Sequence, residues 1–365
     1  MAIRRDIKIA VVGASLGGLS AANVLRQLGF DVQVYELFAK GFEKRGGALG
    51  SVDLGLLRRI RGGNPNGADR AIKGHGHFYG HLWDYLYQGL PPESVHFGTD
   101  VQTIGDARSD RPAIFIDGKP TTFDVIIGAD GGKSTLRPFV TQQQPVYSGY
   151  TVWRGLVPMQ GIVGPPSGSR IVNGIRYETL GFPCAGPDGP LWNCGVYMAM
   201  PYAEVAAPTR NRQVGSAIRD IPEWFMPLTK ALFGERNARF WADCVNHGKV
   251  TPHPIWEFAA AQVVAGRVAL LGDAAHLSSP RTGAGAYTAM LDAWALGTAF
   301  TDASSVREAL ALYNRDAVPR AKALYDRSRK AGRAFAPDRR HSVSPTEVLD
   351  HLTRSSEALD WAAVR

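Results

Sequence analysis

Six residues near the start of the chain, Gly13-Ala14-Ser15-Leu16-Gly17-Gly18, are spaced to let a backbone bend sharply and approach an anion. Small residues leave backbone N–H groups facing a phosphate, and the positive end of the following helix adds to the attraction. Ser15 stands where such turns usually carry their second glycine; it keeps the approach open and adds a hydroxyl that can donate. Glu36 follows Gly13 by 23 positions. A carboxylate there, at the end of the next strand, accepts the two ribose hydroxyls of a dinucleotide. By its own mechanics this turn serves NAD and FAD equally well.

Two further stretches pair a buried strand with glycine. Asp124 to Gly132 reads DVIIGADGG, and Gly266 to Gly285 reads GRVALLGDAAHLSSPRTGAG. In the second, Arg267 to Leu271 predicts a buried strand, so Asp273 emerges at the carboxyl end of a sheet, where ligands of open α/β sheets bind. The alternative reading is an Asp that caps the next turn. Pro280 and Gly283-Ala284-Gly285 then precede a helix from Ala286 to Phe300, whose N-terminal dipole favours negative charge; the same residues also read as a plain helix start.

These groups need elements to hold them. Ile7 to Val12 (IKIAVV) is the apolar run of a strand buried on both faces, and Leu19, Ala22, Val24, Leu25 and Leu28 fall at helical spacing, with Gly29 ending the helix. Asp31 to Tyr35 alternates as a second strand. Leu82 to Leu90 predicts a helix, His96 to Val101 a strand, and Ala113 to Ile116 with Phe123 to Ile127 two more around a Gly118 turn. From Tyr147 to Pro201 aromatic-rich strands alternate with Pro/Gly turns, the texture of an antiparallel sheet. Arg210 to Phe233 reads as helix broken at Pro222 and Pro227. Ser305 with Glu308 has capping-box spacing, Pro319 is expected to kink or interrupt the helix it starts, and Glu347 to Trp361 is amphipathic.

The expected architecture is therefore α/β plus α+β: a discontinuous Rossmann-like nucleotide-binding domain (1–146, with a connector at 46–81, and 263–302), an inserted antiparallel substrate domain (147–262), and a C-terminal helical segment (303–365). Among 365 residues, 45% hydrophobic and 20% charged describe an ordinary globular chain. The net charge of +8 suits anionic small molecules. Nucleic acid is disfavoured, because the basic clusters Arg58, Arg59, Arg61 and Arg327, Arg329, Lys330, Arg333 have the spacing of solvated helix faces. Cys184, Cys194 and Cys244 are too few for a disulfide framework and point to a reducing, cytoplasmic setting. The first residues imitate a signal peptide but read better as strand, turn and helix, and no apolar run is long enough for a membrane span. His75, His77 and His81 lack partners at ligand spacing, so no metal is expected.

GASLGG with Glu36, DVIIGADGGKSTLR ending at Arg137, and RVALLGDAAHLSSPRTGAG occur in the order and approximate spacing of three signature segments. Over residues 7–330 the chain resembles the single-component, FAD-dependent aromatic hydroxylases, the family of p-hydroxybenzoate and salicylate hydroxylases. Ser148 to Pro158 (SGYTVWRGLVP) is similar to the corresponding segment of 2,6-dihydroxypyridine and urate hydroxylases. The resemblance tips the nucleotide reading to flavin. It implies that Gly13, Ser15, Gly17, Gly18 and Glu36 hold the ADP part of FAD and that Asp273 meets the ribityl or pyrophosphate part. Gly128, Asp130 and Gly131 would serve both FAD and a transient NAD(P)H. Pro280, Gly283, Ala284 and Gly285 would lie against the isoalloxazine ring. Arg45, Gly47 and Ala48 would flank the moving flavin, and Val101 would meet the adenine through its backbone. Two departures stand out: Tyr79-Gly80-His81 replaces an Arg common in the family, and the connection from Ser51 to His81 is short.

The implied reaction has NAD(P)H reduce FAD, O2 form a C4a-hydroperoxide, and its distal oxygen attack a small hydroxylated aromatic or N-heteroaromatic compound. The protein then has to orient the ring, assist ionisation of its hydroxyl and exclude water. Tyr197, on one face of Trp192 to Met200 with Asn193 and Gly195, is a candidate to orient the substrate; Arg154 is a candidate to pair with an anionic substrate or the cofactor. Tyr177 and His253 are further candidates. Each also reads as a structural residue. A reductase or dehydrogenase of the same fold, or an inactive FAD-binding accessory protein, remains an alternative, and the oligomeric state, homodimer included, is open.

Overall fold

The computed structural model describes residues 3, 6–42, 47–49, 52–63, 77–165, 167–209, 220–338 and 343–354. By its contacts the chain forms two compact units, Met1–Val146 with Glu257–Lys330, and Tyr147–Trp256 with Ala331–Arg365.

In the first unit the apolar run before the glycine turn is strand β1, Lys8–Val12, buried at every residue after Lys8. Helix α1, Leu16–Gln27, buries every residue from Leu16 to Leu25. Strand β2, Asp31–Glu36, runs parallel to β1 with Tyr35 opposite Val12. Strands β3, Ala48–Leu49, and β4, His77–Phe78, pair with each other, with helix α2, Leu54–Ile60, between them in sequence. Helix α3, Tyr79–Tyr87, starts three residues before the expected Leu82, because its first turn carries no periodic apolar signal. The strand expected from His96 to Val101 is two: β5, Val95–Phe97, beside β2, and β6, Val101–Ile104, in a separate antiparallel sheet. Gly98 divides them with φ of +66°, a conformation no strand holds. Strands β7, Ala113–Ile116, and β8, Lys119–Thr122, complete that small sheet; β9, Val125–Gly128, lies parallel to β1, and the short helix α4 spans Arg137–Val140.

The second unit is built on long antiparallel strands: β10, Val146–Pro158, β11, Gly168–Val172, β12, Ile175–Gly186, and β13, Gly189–Ala199. Helices α5, Tyr202–Thr209, α6, Phe225–Phe233, and α7, Glu235–Asn246, precede strand β14, Val250–Ala259. Of the helix expected from Arg210 to Phe233, residues 210–219 lie outside the described residues; α6 begins after Pro222, and Pro227 lies in its first turn without breaking it, a place where proline costs no helix hydrogen bond. Trp153, Tyr177, Val196 and Met198 on one face of the sheet pack against Phe225, Leu232, Phe240 and Trp241 of α6 and α7.

The chain then returns to the first sheet through β15, Val264–Ala265, and β16, Val268–Leu270, parallel to β9. A 3-10 turn at Gly272–Ala274, strand β17, His276–Leu277, helix α8, Gly285–Asp302, and helix α9, Val306–Gly332, follow; α10, Pro345–Arg354, belongs to the second unit. The main sheet has the order β15-β16-β9-β1-β2-β5. Val12, Gly128 and Leu270 stand side by side, so β1, β9 and β16 deliver their following loops to one edge.

Helix α9 groups with the first unit as far as Lys330 and Ala331–Arg365 with the second, so residues 303–365 are not one separate segment, and the boundary of the second unit falls at Trp256 rather than 262. Of the two effects expected of Pro319, a kink or an interruption, the interruption does not occur: the residue lies inside a single 27-residue helix, since the other bonds of so long a helix persist around the one that proline removes. The capping box is half formed: Ser305 Oγ accepts from the Glu308 N–H at 3.2 Å, while the Glu308 carboxylate accepts from Ser304.

Candidate functional site

The glycine turn is tight enough to exclude side chains. A Cβ on Gly13 would lie 2.3 Å from the Ala129 carbonyl oxygen, and one on Gly18 only 1.9 Å from the Gly13 carbonyl oxygen. Gly17 has another job: its Cβ would strike the Leu271 side chain at 2.9 Å, so it lets α1 pack on the loop after β16. Glu36 is buried and accepts from the N–H groups of Ala14 at 2.7 Å and Phe38 at 2.9 Å. Burial raises its carboxyl pKa and these two bonds oppose the rise. The carboxylate is thus fixed at the end of β2 beside the turn.

The three segments singled out in the sequence meet. Gly17 and Gly272 both back onto Ala289 of α8, whose methyl group would lie 3.3 and 3.2 Å from a Cβ added at each, and the Leu271 N–H donates to the Gly128 carbonyl at 2.9 Å. Gly128 itself is a packing glycine, with Leu270 and Leu136 where its side chain would be. Asp130 Oδ2 accepts from Thr135 and Leu136 N–H groups at 2.7 and 3.1 Å, closing the loop that Gly131 turns. Desolvation raises the Asp130 pKa against those bonds. Val101 is buried at the start of β6.

Arg137, quoted in the sequence only as the end of a segment, is the joint between two loops. It is buried, and its guanidinium donates to the carbonyls of Ala274, Asp273 and Gly132, each at 2.9 Å, with a longer contact to Gly131. Its guanidinium carbon lies over the Phe258 ring, 4.8 Å from the ring centroid. Asp273 is exposed, yet the protein around it raises its carboxyl pKa by desolvation, with His276 and Arg137 pulling the other way.

Helix α9 braces this edge from behind, which the sequence reading of its basic series as a solvated face did not anticipate. Arg320 Nε donates to Asp292 Oδ1 at 2.8 Å; Asp292 Oδ2 accepts from the Gly272 N–H at 3.1 Å and lies 2.6 Å from His276 Nε2. Arg327 donates to the Thr282 carbonyl at 3.0 Å, and Ser328 Oγ accepts from the Ser279 N–H at 2.7 Å while donating to the buried Glu257 carboxylate. Arg329 pairs with the same Glu257 at 2.9 Å. These bonds fix both the Asp273 turn and the loop of Pro280, which is exposed, and Gly283, which takes the left-handed conformation that caps it. Ala284 and Gly285 start α8. Gly47 accepts from the Tyr79 N–H at 2.9 Å and Ala48 pairs with Phe78; Arg45 lies outside the described residues.

In the second unit, sheet register separates the four candidates. Arg154 pairs across from Gly195 and Glu178 from Tyr197, which puts Arg154, Asn193 and Tyr197 on one face and Tyr177 on the other. Arg154 donates to Asn193 Oδ1 at 3.0 Å and is half-buried; desolvation lowers its pKa, against the influence of Tyr197, Cys194 and Cys184. His253 joins this face, its Nε2 lying 3.1 Å from Thr251 Oγ1, and burial beside the Arg154 charge pushes its pKa down to about 3. The Tyr197 ring packs against Phe335, centroids 5.4 Å apart. Tyr177 is not brought to this group: it is buried in the opposite core, which pushes its pKa up to about 12.

The chain is 28% identical to the FAD-dependent urate hydroxylase of Klebsiella pneumoniae, the match covering 89% of each. It is 27% identical to the 3-amino-4-hydroxybenzoate 2-monooxygenase of Streptomyces cremeus over 96% of this chain and 95% of that one. In fold it is similar to the 2,6-dihydroxypyridine-3-hydroxylase from Arthrobacter nicotinovorans, with a TM-score of 0.74 at 22% identity, covering 94% of this chain and 95% of the other. A family model described as an FAD binding domain matches residues 90–328. The chain belongs to the FAD-dependent aromatic hydroxylases. This hydroxylase is a flavoprotein monooxygenase, and FAD is its cofactor.

The residues of the hydroxylase suit that cofactor. The turn before α1 offers backbone N–H groups at the positive end of a 12-residue helix, with no acidic side chain in the first turn to repel a pyrophosphate. At Gly131 and Gly283 a Cβ would meet nothing within 4 Å, so the backbone there is open to a large planar partner. Among the described residues no helix of the hydroxylase is long and apolar enough to cross a membrane.

Proposed function

We propose that the enzyme hydroxylates a small anionic hydroxyaromatic or N-heteroaromatic compound, with NAD(P)H as electron donor and O2 as oxidant, in the cytoplasm. The observation that carries the substrate class is Arg154. Its guanidinium is desolvated, bonded to the neutral Asn193, and forms no ion pair with a carboxylate among the described residues. A cation so placed gains most from an anionic partner. With its pKa at about 3, His253 is neutral at neutral pH and too weak a base to take a phenolic proton, so it serves as a hydrogen-bonding neighbour. The substrate is therefore taken up already ionised, as carboxylate, phenolate or enolate, with Tyr197 beside Arg154 to set its orientation.

On this reading Gly13, Ser15 and Gly18 cradle the pyrophosphate, Glu36 holds the ribose, and Asp273 holds the ribityl chain. The Pro280 to Gly285 loop, with Gly131, faces the ring system. Bound FAD supplies the redox chemistry: electrons from NAD(P)H, and one atom of O2 delivered to an electron-rich ring carbon, the other leaving as water. Replacing Asp273 by Ala should weaken FAD binding to the apoprotein roughly 10- to 100-fold, the worth of a hydrogen bond to a charged group. Flavin fluorescence titration reads this directly; unchanged affinity would remove Asp273 from the site.

The substrate class is tested by NADH and NADPH oxidation with the holoprotein across matched pairs of aromatic acids or phenolates and their neutral amides or methyl ethers. Stimulation confined to the anionic members is expected. Equal stimulation by the neutral members would overturn the role of Arg154.

A further inference from the structure

Ser15 occupies the N-cap of α1 with an extended backbone, yet its hydroxyl makes no capping bond to the helix. It lies instead 2.8 Å from the hydroxyl of Tyr79. Tyr79 opens α3, a helix fastened to the same turn a second time by Trp83, whose Nε1 donates to the Ala14 carbonyl at 2.6 Å. Two sequence departures, a serine where a glycine is usual and a tyrosine near the place of a family arginine, are thus one contact. Neither the sequence of α3, YGHLWDYLY, nor the first turn of α1 contains Arg or Lys.

We propose that the Ser15–Tyr79 hydroxyl pair is a neutral contact of this chain to the FAD pyrophosphate, standing in for a guanidinium; the proposal rests on the FAD reading of the glycine turn. Each hydroxyl both donates and accepts. A bond from one to the other polarises the acceptor's own O–H and makes it a stronger donor to a phosphate oxygen. Such a contact differs from a guanidinium in two measurable ways. It is a dipole and not an ion pair, so salt screens it little, and its two members work as a unit, so their losses do not add.

The test is FAD titration of the apoprotein, followed by flavin fluorescence at low and high salt, with ADP as competitor. Tyr79→Phe and Ser15→Ala should each raise the Kd for FAD roughly tenfold, and the double variant should be no weaker than the weaker single one. The losses should appear equally with ADP, which shares only the nucleotide half. Tyr79→Arg should recover the affinity and make it fall steeply with salt, a response that a merely structural tyrosine would not give, and one that decides the matter even if Tyr79→Phe folds poorly. Wild-type affinity in either single variant, additive losses in the double variant, a loss absent with ADP, or Tyr79→Arg without recovery would each overturn the proposal. A wild-type apoprotein that ignores FAD would instead remove the cofactor reading beneath it.

Discussion

Replacing Asp292 by Asn should lower the stability of the FAD-loaded enzyme by about 3 kcal/mol, the low end for breaking a buried charged pair, since Arg320 keeps some contact with water. Asp292 is 1% exposed and holds three groups at once: the Gly272 N–H, His276 and Arg320. Burial alone would raise its pKa, but His276 and Arg320 more than reverse this and hold the carboxyl below its ordinary 3.8. Its contribution is present above that value and is lost as pH falls through the lower folded value. For His276 burial acts downward, and the charge and hydrogen bond of Asp292 outweigh it, so the imidazole sits above its ordinary 6.5. That contribution is complete below 6.5 and disappears as pH rises through the raised folded value. The pair therefore stabilises most between the two ordinary values, with decline on both sides. In Asp292→Asn the alkaline decline should vanish, because without the carboxylate the buried His276 prefers to be neutral. Thermal unfolding at saturating FAD across this range checks both the size and the altered pH profile; a variant as stable as the parent would show that α9 does not brace the Asp273 turn.

Arg154→Gln should reduce kcat/KM for the anionic substrate by roughly 30- to 1,000-fold, as truncating one partner of a desolvated charge pair does. Neutral analogues should be affected little. Stability should hold or rise, because the substitution removes a desolvated cation that forms no ion pair with a carboxylate among the described residues. The two readouts moving in opposite directions mark a residue kept for its ligand. Equal losses of stability and activity would make Arg154 a packing residue of β10.

What the sequence made legible was what backbone geometry demands locally. The glycine turn, Glu36, and the strand before Asp273 are dictated by a sharp bend, a close approach and a buried parallel strand, and each restricts residue types within a short window. Arg137 was not legible as a joint, since its partners Asp273 and Ala274 lie 136 and 137 positions away. Arg327, Arg329, Lys330 and Arg333 have the spacing of a solvated helix face, and only the packing of α9 brings Arg327 to the Thr282 carbonyl and Arg329 to the buried Glu257. Tyr177 and Tyr197 looked alike because a strand's alternation is visible in sequence while the register between strands is not. The pairing of Glu178 with Tyr197 sends the two rings to opposite faces.

The most direct measurement is the fate of isotopically heavy O2 during turnover of the holoenzyme with NADH or NADPH and an anionic hydroxyaromatic that stimulates its oxidation. One heavy oxygen atom in the new hydroxyl group, with one product formed for each O2 consumed, is the predicted result. Stimulated oxidation that leaves all the heavy oxygen in peroxide, or a product whose new oxygen comes from water, would contradict it.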